Sequence, residues 1–202
     1  MDKFLLVKSQ IEYKKQNLYD RIFTVSIILV LAFFFFVSQF WISISVVQMN
    51  SMQNTLQPND KLITDRLASP KRGDVIVFNY DENTSYIKRV IAVENQTVYN
   101  DKNGDVFIEF VDKNGQIKTE KLIENYVKDS SPTYKNLNTD FYTDEENCLF
   151  RVQVKKGELF VMGDNRLVSV DSRNFGCIKT SQVTGVVSEY WIKYKDITTK
   201  IF

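Results

Sequence analysis

With 202 residues, the chain can form one domain with its own core plus a short additional segment. Its 26 basic and 25 acidic residues nearly cancel, so no nucleic-acid partner is expected, because such proteins usually carry a basic excess. The chain has no histidine, which excludes a Ser-His-Asp triad, a Cys-His dyad and a histidine-ligated zinc site. Acid–base chemistry near neutral pH therefore falls to a lysine, a carboxylate or a tyrosine.

A long apolar segment near the N-terminus predicts a membrane anchor. No charged residue occurs between Ile22 and Asn59, and residues 22–41 are almost all apolar. Twenty residues in a helix span about 30 Å, the thickness of a bilayer's hydrocarbon core. A cleavable signal peptide would have a shorter apolar region followed by an Ala-x-Ala-like site, whereas this segment continues into Ser45–Met52. We therefore predict a retained transmembrane helix over residues 22–41.

The charges that flank the anchor predict its orientation. Basic residues outnumber acidic ones in residues 1–21, with Lys3, Lys8, Lys14, Lys15 and Arg21 against Asp2, Glu12 and Asp20. Positive charge before a first span holds that end in the cytoplasm. We expect residues 1–21 to be a cytoplasmic tail and residues 42–202 to be the extracytoplasmic domain of a single-pass protein of the cell membrane.

The remainder of the chain has the alternation and turn signals of a mainly β protein. Strands are predicted at Ile42–Val47, Lys61–Arg66, Asp74–Tyr80, Tyr86–Val93, Leu149–Val154, Glu158–Met162 and Gln182–Tyr194. Asn103-Gly104 and Asn114-Gly115 lie between β-prone segments, which is a strong hairpin signal. The polar stretch Lys128–Asn147 predicts a long surface excursion.

Three separated segments are candidates for a functional site. They are Asn50–Leu56 just after the anchor, the pair of predicted strands from Gly73 to Val90, and the polar segment Gly163–Gly176.

In the second segment, Lys88 lies within an apolar strand, with Tyr86 and Val90 on its own face. Such a lysine is either a solvated charge at a sheet edge or a buried amine. Burial disfavours the ammonium form and can lower the pKa by several units, and a neutral amine can deprotonate a serine hydroxyl. Because the chain lacks histidine, Lys88 is the best candidate for a general base, and Ser51, a few residues past the anchor, is the candidate nucleophile.

The third segment is rich in turn-forming polar residues. Asp171 and Arg173 can pair across a tight loop, and Ser169 can hydrogen-bond to an amine and orient it. Considered alone, this segment is equally compatible with a charged surface loop.

Together, these segments resemble the bacterial type I signal peptidases. The matched features are a Ser-Met box at Ser51 after an N-terminal anchor, a Gly-Asp-apolar-Phe strand at Gly73–Phe78, a Tyr-Ile-Lys-Arg strand at Tyr86–Arg89, and the box Gly163–Gly176. They occur in the family's order and, with the anchor, span residues 22–176.

The resemblance implies a role for each candidate residue. Ser51 would be the nucleophile, with its own backbone N–H in the oxyanion hole, Lys88 the general base, and Ser169 the support of the lysine. The core of the site would be held together by Asp164, Arg166, Asp171 and Arg173.

The resemblance also implies a fold and a substrate class. A β-rich catalytic core would carry an inserted variable subdomain over about residues 99–153. The expected partners are the signal peptides of secreted preproteins, with small residues at the third and first positions before the cut, and the lipid bilayer. No metal and no organic cofactor are expected.

The chain departs from the family pattern at three places near the candidate site. Asn54 replaces a proline, Met49 replaces a serine, threonine or glycine two residues before the nucleophile, and Leu167-Val168 replace Asp-Asn. A methionine side chain offers no hydrogen-bond donor to an oxyanion hole, and loss of one such donor costs on the order of 10²–10³ in rate.

Two other functions compete with a peptidase. The first is a signal-peptidase-like accessory protein, or chaperone, that binds membrane-proximal segments during surface-protein or pilus assembly without cutting them. The three departures favour it, and the retention of Ser51 and Lys88 opposes it. The second is a self-cleaving repressor with similar Ser/Lys chemistry, which the apolar segment and the lack of a DNA-binding segment oppose. We rank the peptidase first.

Cys148 and Cys177 are too few for a four-cysteine metal site. A single bridge and two unpaired thiols both fit the sequence, and we favour unpaired thiols because free cysteine is commonly buried.

Overall fold

The computed structural model describes residues 2–127, 142–144 and 149–193. The chain divides into two compact units, Met1–Trp41 and Ile42–Phe202. The first is a helix, and the described part of the second is built from β-strands with short helical turns. The predicted fold class, mainly β with one N-terminal apolar helix, is confirmed.

Helix α1 runs from Asp2 to Trp41. Its sequence contains no glycine or proline, so nothing in it interrupts a helix. Within the described residues, α1 is the one helix long and apolar enough to cross a membrane, over Glu12–Trp41. The predicted span over residues 22–41 lies inside this stretch, and the helix also includes most of the tail predicted over residues 1–21.

The larger sheet has seven strands in the described part of the chain, in the order β1-β2-β12-β3-β4-β10-β11. These strands are β1 (Ile42–Val46), β2 (Lys61–Asp65), β3 (Val75–Asn79), β4 (Ser85–Val93), β10 (Glu158–Met162), β11 (Ile178–Lys179) and β12 (Val183–Ile192). The pairings between neighbours are antiparallel, and β1 lies at one edge. Six of these strands were predicted from alternation and turn signals, and β11 is too short to carry such a signal.

The second sheet has five described strands in the order β7-β6-β5-β9-β8. They are β5 (Thr97–Asn100), β6 (Val106–Val111), β7 (Ile117–Lys121), β8 (Tyr142–Asp144) and β9 (Leu149–Gln153). Both predicted hairpins are present, with Gly104 and Gly115 at positive φ in the turns before and after β6. Positive φ is the conformation that makes glycine favourable in such turns.

The polar excursion predicted over Lys128–Asn147 is wrong for Tyr142–Asp144, because these residues form β8 and pair with β9. The remainder of that excursion lies outside the described residues, as does Cys148. Cys177 is a free, half-buried thiol, and burial raises its pKa to about 12.

The two sheets share one hydrophobic core. Ile91 and Phe160 from the larger sheet pack with Val98, Ile108 and Phe150 from the smaller one. The inserted subdomain over about residues 99–153 stays a prediction.

Candidate active site

Ser51 lies in a short 3₁₀ turn, Asn50–Met52, between β1 and β2. Met52 and Leu56 are buried with Val47 and Leu62, so apolar packing holds this turn against the sheet. The Asn165 N–H donates to the Ser51 carbonyl at 3.0 Å. The backbone at Ser51 is thus held by the packing of Met52 and Leu56 and by the hydrogen bond from Asn165. Ser51 itself stays partly exposed.

Lys88 is at the centre of β4, opposite Ile76 of β3, and only 1% of its surface is exposed. Its Nζ lies 2.7 Å from Ser51 Oγ and 5.3 Å from the centre of the Tyr86 ring. The structure therefore brings the two predicted dyad residues into hydrogen-bond contact, across 37 positions of sequence. Of the two interpretations that the sequence left open, the buried amine is the one observed.

Burial sets the protonation of Lys88. Desolvation lowers the pKa of its amine from 10.5 to about 8, and Arg173 acts in the same direction. Asp171 and Asp164 act in the opposite direction, but more weakly than burial. A substantial fraction of Lys88 is therefore neutral near pH 8, and a neutral amine can accept the proton of a serine hydroxyl.

Asp171 and Arg173 form a fully buried ion pair behind the lysine. Arg173 Nε and Nη2 donate to the two Asp171 oxygens at 2.8 and 2.9 Å. Asp171 also caps helix α2 (Ser172–Phe175) and accepts the Gly163 N–H at 3.0 Å. Burial opposes ionisation of Asp171, but Arg173 and these hydrogen bonds hold the pKa of Asp171 below its ordinary value.

A second buried carboxylate, Asp164, is bound by an arginine that the sequence analysis did not select. Arg89 Nε and Nη2 donate to the two Asp164 oxygens at 2.9 and 2.6 Å. The Thr55 hydroxyl donates to the same carboxylate, and Arg89 Nη1 donates to the Gly73 carbonyl at 2.8 Å. Arg89 thus connects all three predicted segments. Its position directly after Lys88 in the Tyr-Ile-Lys-Arg strand was the sequence signal that could have identified Arg89 as a site residue.

Arg166 is bound by Glu124, which lies after β7 and outside all predicted segments. Both guanidinium nitrogens Nη1 and Nη2 donate to the Glu124 carboxylate, and Arg166 Nε donates to the Gly163 carbonyl at 3.0 Å. The Tyr126 hydroxyl donates a hydrogen bond to the Glu124 carboxylate at 3.0 Å. The Arg89 guanidinium carbon lies 4.0 Å from the centre of the Tyr126 ring. No local sequence signal marked Glu124 or Tyr126.

Gly163 lies close to both Ser169 and the backbone of Ser51. A Cβ on Gly163 would fall 2.3 Å from Ser169 Oγ and 2.5 Å from the Ser51 carbonyl oxygen. Ser169 is fully buried, and its side chain helps to hold the pKa of the Asp171 carboxyl below its ordinary value. The predicted support of Lys88 by Ser169 stays a prediction.

The three departures have distinct structural outcomes. Met49 precedes the Ser51 turn and is half exposed, and Leu167 and Val168 form an exposed turn after Arg166. Asn54 has φ +113°, a conformation closed to proline, whose ring locks φ at about −65°. The backbone after Ser51 is thus incompatible with the residue that the family pattern carries at that position.

Asn54→Pro is expected to destabilise the protein by more than about 1 kcal/mol, because the substituted residue cannot adopt the native φ. Asn54→Gly is the matched control and is expected to keep or raise stability, since glycine adopts positive φ without steric cost. Thermal unfolding of the full chain in detergent measures both variants. Equal melting temperatures for the two variants would contradict a positive φ at this position.

The chain matches a known family over most of its length. The family described as "Signal peptidase, peptidase S26" matches residues 20–192. Signal peptidase I P of Bacillus subtilis subsp. natto is 34% identical over 179 residues, covering 86% of this chain and 88% of that protein. Signal peptidase IB of Staphylococcus aureus strain Mu50 is 30% identical over 183 residues, covering 88% and 91%.

Among solved structures, a crystal structure of a signal peptidase I from Enterococcus faecalis V583 is 30% identical in sequence. It covers 60% of this chain and 98% of its own chain, with a TM-score of 0.42.

The protein is therefore a hydrolase of the protease class with a β-rich fold. More particularly, the chain belongs to the signal peptidase family, peptidase S26. The predicted family is confirmed, and family membership gives no support to the repressor interpretation.

Proposed function

We propose that the protein removes signal peptides from secreted preproteins as a serine endopeptidase, with Ser51 as the nucleophile and Lys88 as the general base. The observation that carries the proposal is the 2.7 Å contact between Lys88 Nζ and Ser51 Oγ, made by an amine that is almost wholly buried. Burial and contact together meet the two requirements of such a base, a lowered pKa and hydrogen-bond reach to the nucleophile.

The reaction proceeds in two acyl-transfer steps. Neutral Lys88 takes the proton from Ser51 Oγ as that oxygen attacks the carbonyl carbon before the cut. The backbone N–H of Ser51 stabilises the oxyanion, and collapse of the tetrahedral intermediate breaks the C–N bond while Lys88 gives its proton to the leaving nitrogen. Water then attacks the Ser51 ester, Lys88 accepts the proton of the water, and that proton returns to Ser51 as the signal peptide leaves as a carboxylic acid.

Four charged residues and one serine act on this dyad without reacting. Asp171 and Arg173 pair behind Lys88, and both carry hydrogen bonds to the Gly163–Ser169 backbone. Asp164 and Arg166 connect the same backbone to β4 and to Glu124. In this proposal, Ser169 orients the lysine from its buried position beside Gly163. These residues preserve the geometry, and none of them takes or gives a proton.

We further propose that α1 anchors the chain in the cell membrane, with its N-terminal end in the cytoplasm and residues 42–202 outside. The apolar stretch Glu12–Trp41 and its exposed side chains support the anchor, since such a surface is stable in lipid. The basic excess in residues 1–21 supports the orientation. A catalytic serine soon after the membrane exit suits substrates that carry an apolar signal peptide.

The accessory-protein function remains the second candidate, and Met49 is the observation that favours it. That residue supplies no side-chain donor beside Ser51, and it is half exposed. Cleavage by the detergent-solubilised full chain of a preprotein with an Ala-x-Ala site separates the two functions. Release of the mature protein, cut after the second alanine, is expected. Tight binding of the preprotein without any cleavage would favour an accessory role, including one in surface-protein or pilus assembly.

The rate of cleavage is expected to depend on pH through the Lys88 amine. Because the pKa of Lys88 in the folded protein is about 8, kcat/KM should rise by about tenfold per pH unit below pH 8 and level off above it. A profile of kcat/KM from pH 6 to pH 10 measures this, and a flat profile would remove Lys88 from the mechanism.

The stability of the folded protein is also expected to rise with pH, because of the same lowered pKa. The folded pKa of Lys88 lies below its ordinary 10.5, so between about pH 8 and 10.5 the unfolded chain binds the proton that the folded chain has lost. The free energy of unfolding should therefore rise across this window, by roughly 3 kcal/mol relative to a Lys88→Met control.

A further inference from the structure

Two cavities border Ser51, and they differ in chemistry. One, of about 400 Å³, is lined largely by polar side chains, among them Ser43, Ser45, Asn83, Ser85 and Thr184. The other, of about 350 Å³, is lined by Lys88, by Met49, Tyr86, Val168 and Val170, and by the polar residues Asn50, Gln53 and Asn165. Ser51 and Met49 border both cavities, so both cavities open at the nucleophile.

The path of the proton distinguishes the two sides of the scissile bond. Lys88 must give the proton taken from Ser51 to the leaving nitrogen, so that nitrogen must come within hydrogen-bond reach of Nζ. Lys88 lines the second cavity and is not among the residues that line the first. A substrate held in these cavities would therefore place the chain that follows the cut on the side of the second cavity and the chain that precedes the cut on the side of the first.

Three apolar residues that line the second cavity are exposed and form an apolar rim. Met49, Val168 and Val170 each have about half of their surface open to solvent. The backbone of this rim is held in place, because the Val168 and Ser169 N–H groups donate to the Asn165 carbonyl and the Asn165 N–H donates to the Ser51 carbonyl. An apolar side chain bound here would remove these exposed surfaces from water, which is favourable in proportion to the area buried.

We propose that this rim binds the first residue of the mature chain and selects an apolar side chain at that position. The inference rests on the proposed function, and it adds a preference on the leaving side of the cut. Met49, Val168 and Val170 are then specificity-determining residues of the cleavage reaction. Two of them, Met49 and Val168, lie at positions where the chain departs from the family pattern.

The test uses two preproteins that share an Ala-x-Ala site and differ only in the first residue after the cut, leucine or serine. The detergent-solubilised full chain is expected to cleave the leucine substrate with a kcat/KM about tenfold higher, the scale of discrimination that small apolar pockets reach. Val168→Ser and Val170→Ser should each reduce that ratio several-fold. Both residues are exposed, so these substitutions leave the core intact.

Leu167→Ser is the matched control. Leu167 precedes Val168 in the same turn and is 71% exposed, but it is not among the residues that line the cavity. Its substitution should leave the leucine-to-serine ratio unchanged. Equal cleavage of the two substrates by the unsubstituted protein, or an unchanged ratio in both Val168→Ser and Val170→Ser, would overturn the inference while leaving the peptidase function intact. Failure to cleave either substrate would overturn both.

Discussion

Replacing Ser51 with alanine is expected to abolish preprotein cleavage, with a loss of at least about 10⁴-fold in kcat, because the proposed acyl-enzyme forms on Ser51 Oγ. Lys88→Ala should cost a similar factor, since the serine hydroxyl would lose its base. Lys88→Arg should also fail, because a guanidinium stays protonated at any working pH. Rates are measured on the purified full-length variants with an Ala-x-Ala preprotein.

The control substitutions for the dyad are Ser69→Ala and Lys71→Ala, which alter exposed residues between β2 and β3. Both are expected to cleave at the unsubstituted rate. The circular dichroism spectrum and melting temperature of the Ser51→Ala protein should match those of the unsubstituted protein. The loss of cleavage would then come from the missing hydroxyl and not from unfolding. If purified Ser51→Ala still cleaves within tenfold of the unsubstituted rate, the nucleophile is another residue.

The second large effect is expected at Gly163, which itself carries no reactive group. Its φ is not positive, so the constraint is one of space: an alanine Cβ would meet Ser169 Oγ at 2.3 Å and the Ser51 carbonyl at 2.5 Å. One of these neighbours must move. Because a displacement of about 1 Å at a reacting group can cost 10²-fold in rate, Gly163→Ala should lose about that factor or more in kcat.

Gly157→Ala is the matched control for Gly163→Ala. Gly157 has positive φ, but a Cβ there would meet nothing within 4 Å, so its replacement strains the backbone and crowds no neighbour. It should lower the melting temperature and leave kcat unchanged. The comparison separates a general loss of stability from a specific displacement at Ser51. Equal kcat values for the two variants would show that the space beside Gly163 is not needed for catalysis.

The sequence was most informative where a signal is local. The apolar, β-prone segments of β3 and β4 and the two Asn-Gly turns predicted strands and hairpins, because these signals depend on neighbouring residues alone. The contact between Ser51 and Lys88 could be predicted only through the resemblance to a family, since alternation does not indicate which strand passes beside the Ser51 turn.

The remaining parts of the site depend on contacts that no local pattern encodes. Glu124 lies 42 positions from Arg166, and Arg89 lies 75 positions from Asp164. A lone glutamate after an exposed strand, or an arginine within a strand, is usually a solvated charge, so sequence alone favoured that interpretation. The positive φ of Asn54 was equally hidden, because it follows from how the Ser51 turn closes against Leu56 and Met52.

The buried charges around Ser51 have a consequence for how this protein could be adapted to another pH. Three arginines pair with three carboxylates: Arg89 with Asp164, Arg166 with Glu124, and Arg173 with Asp171. The charges of Asp171 and Arg173 act on the pKa of Lys88 in opposite directions, and burial remains the largest influence on that pKa. Loss of one partner would leave an uncompensated charge beside the amine and would also weaken the fold. Evolution or design could therefore shift the working pH of this protein more safely by changing the apolar cover of Lys88, or by exchanging a charge pair as a unit, than by changing a single charge.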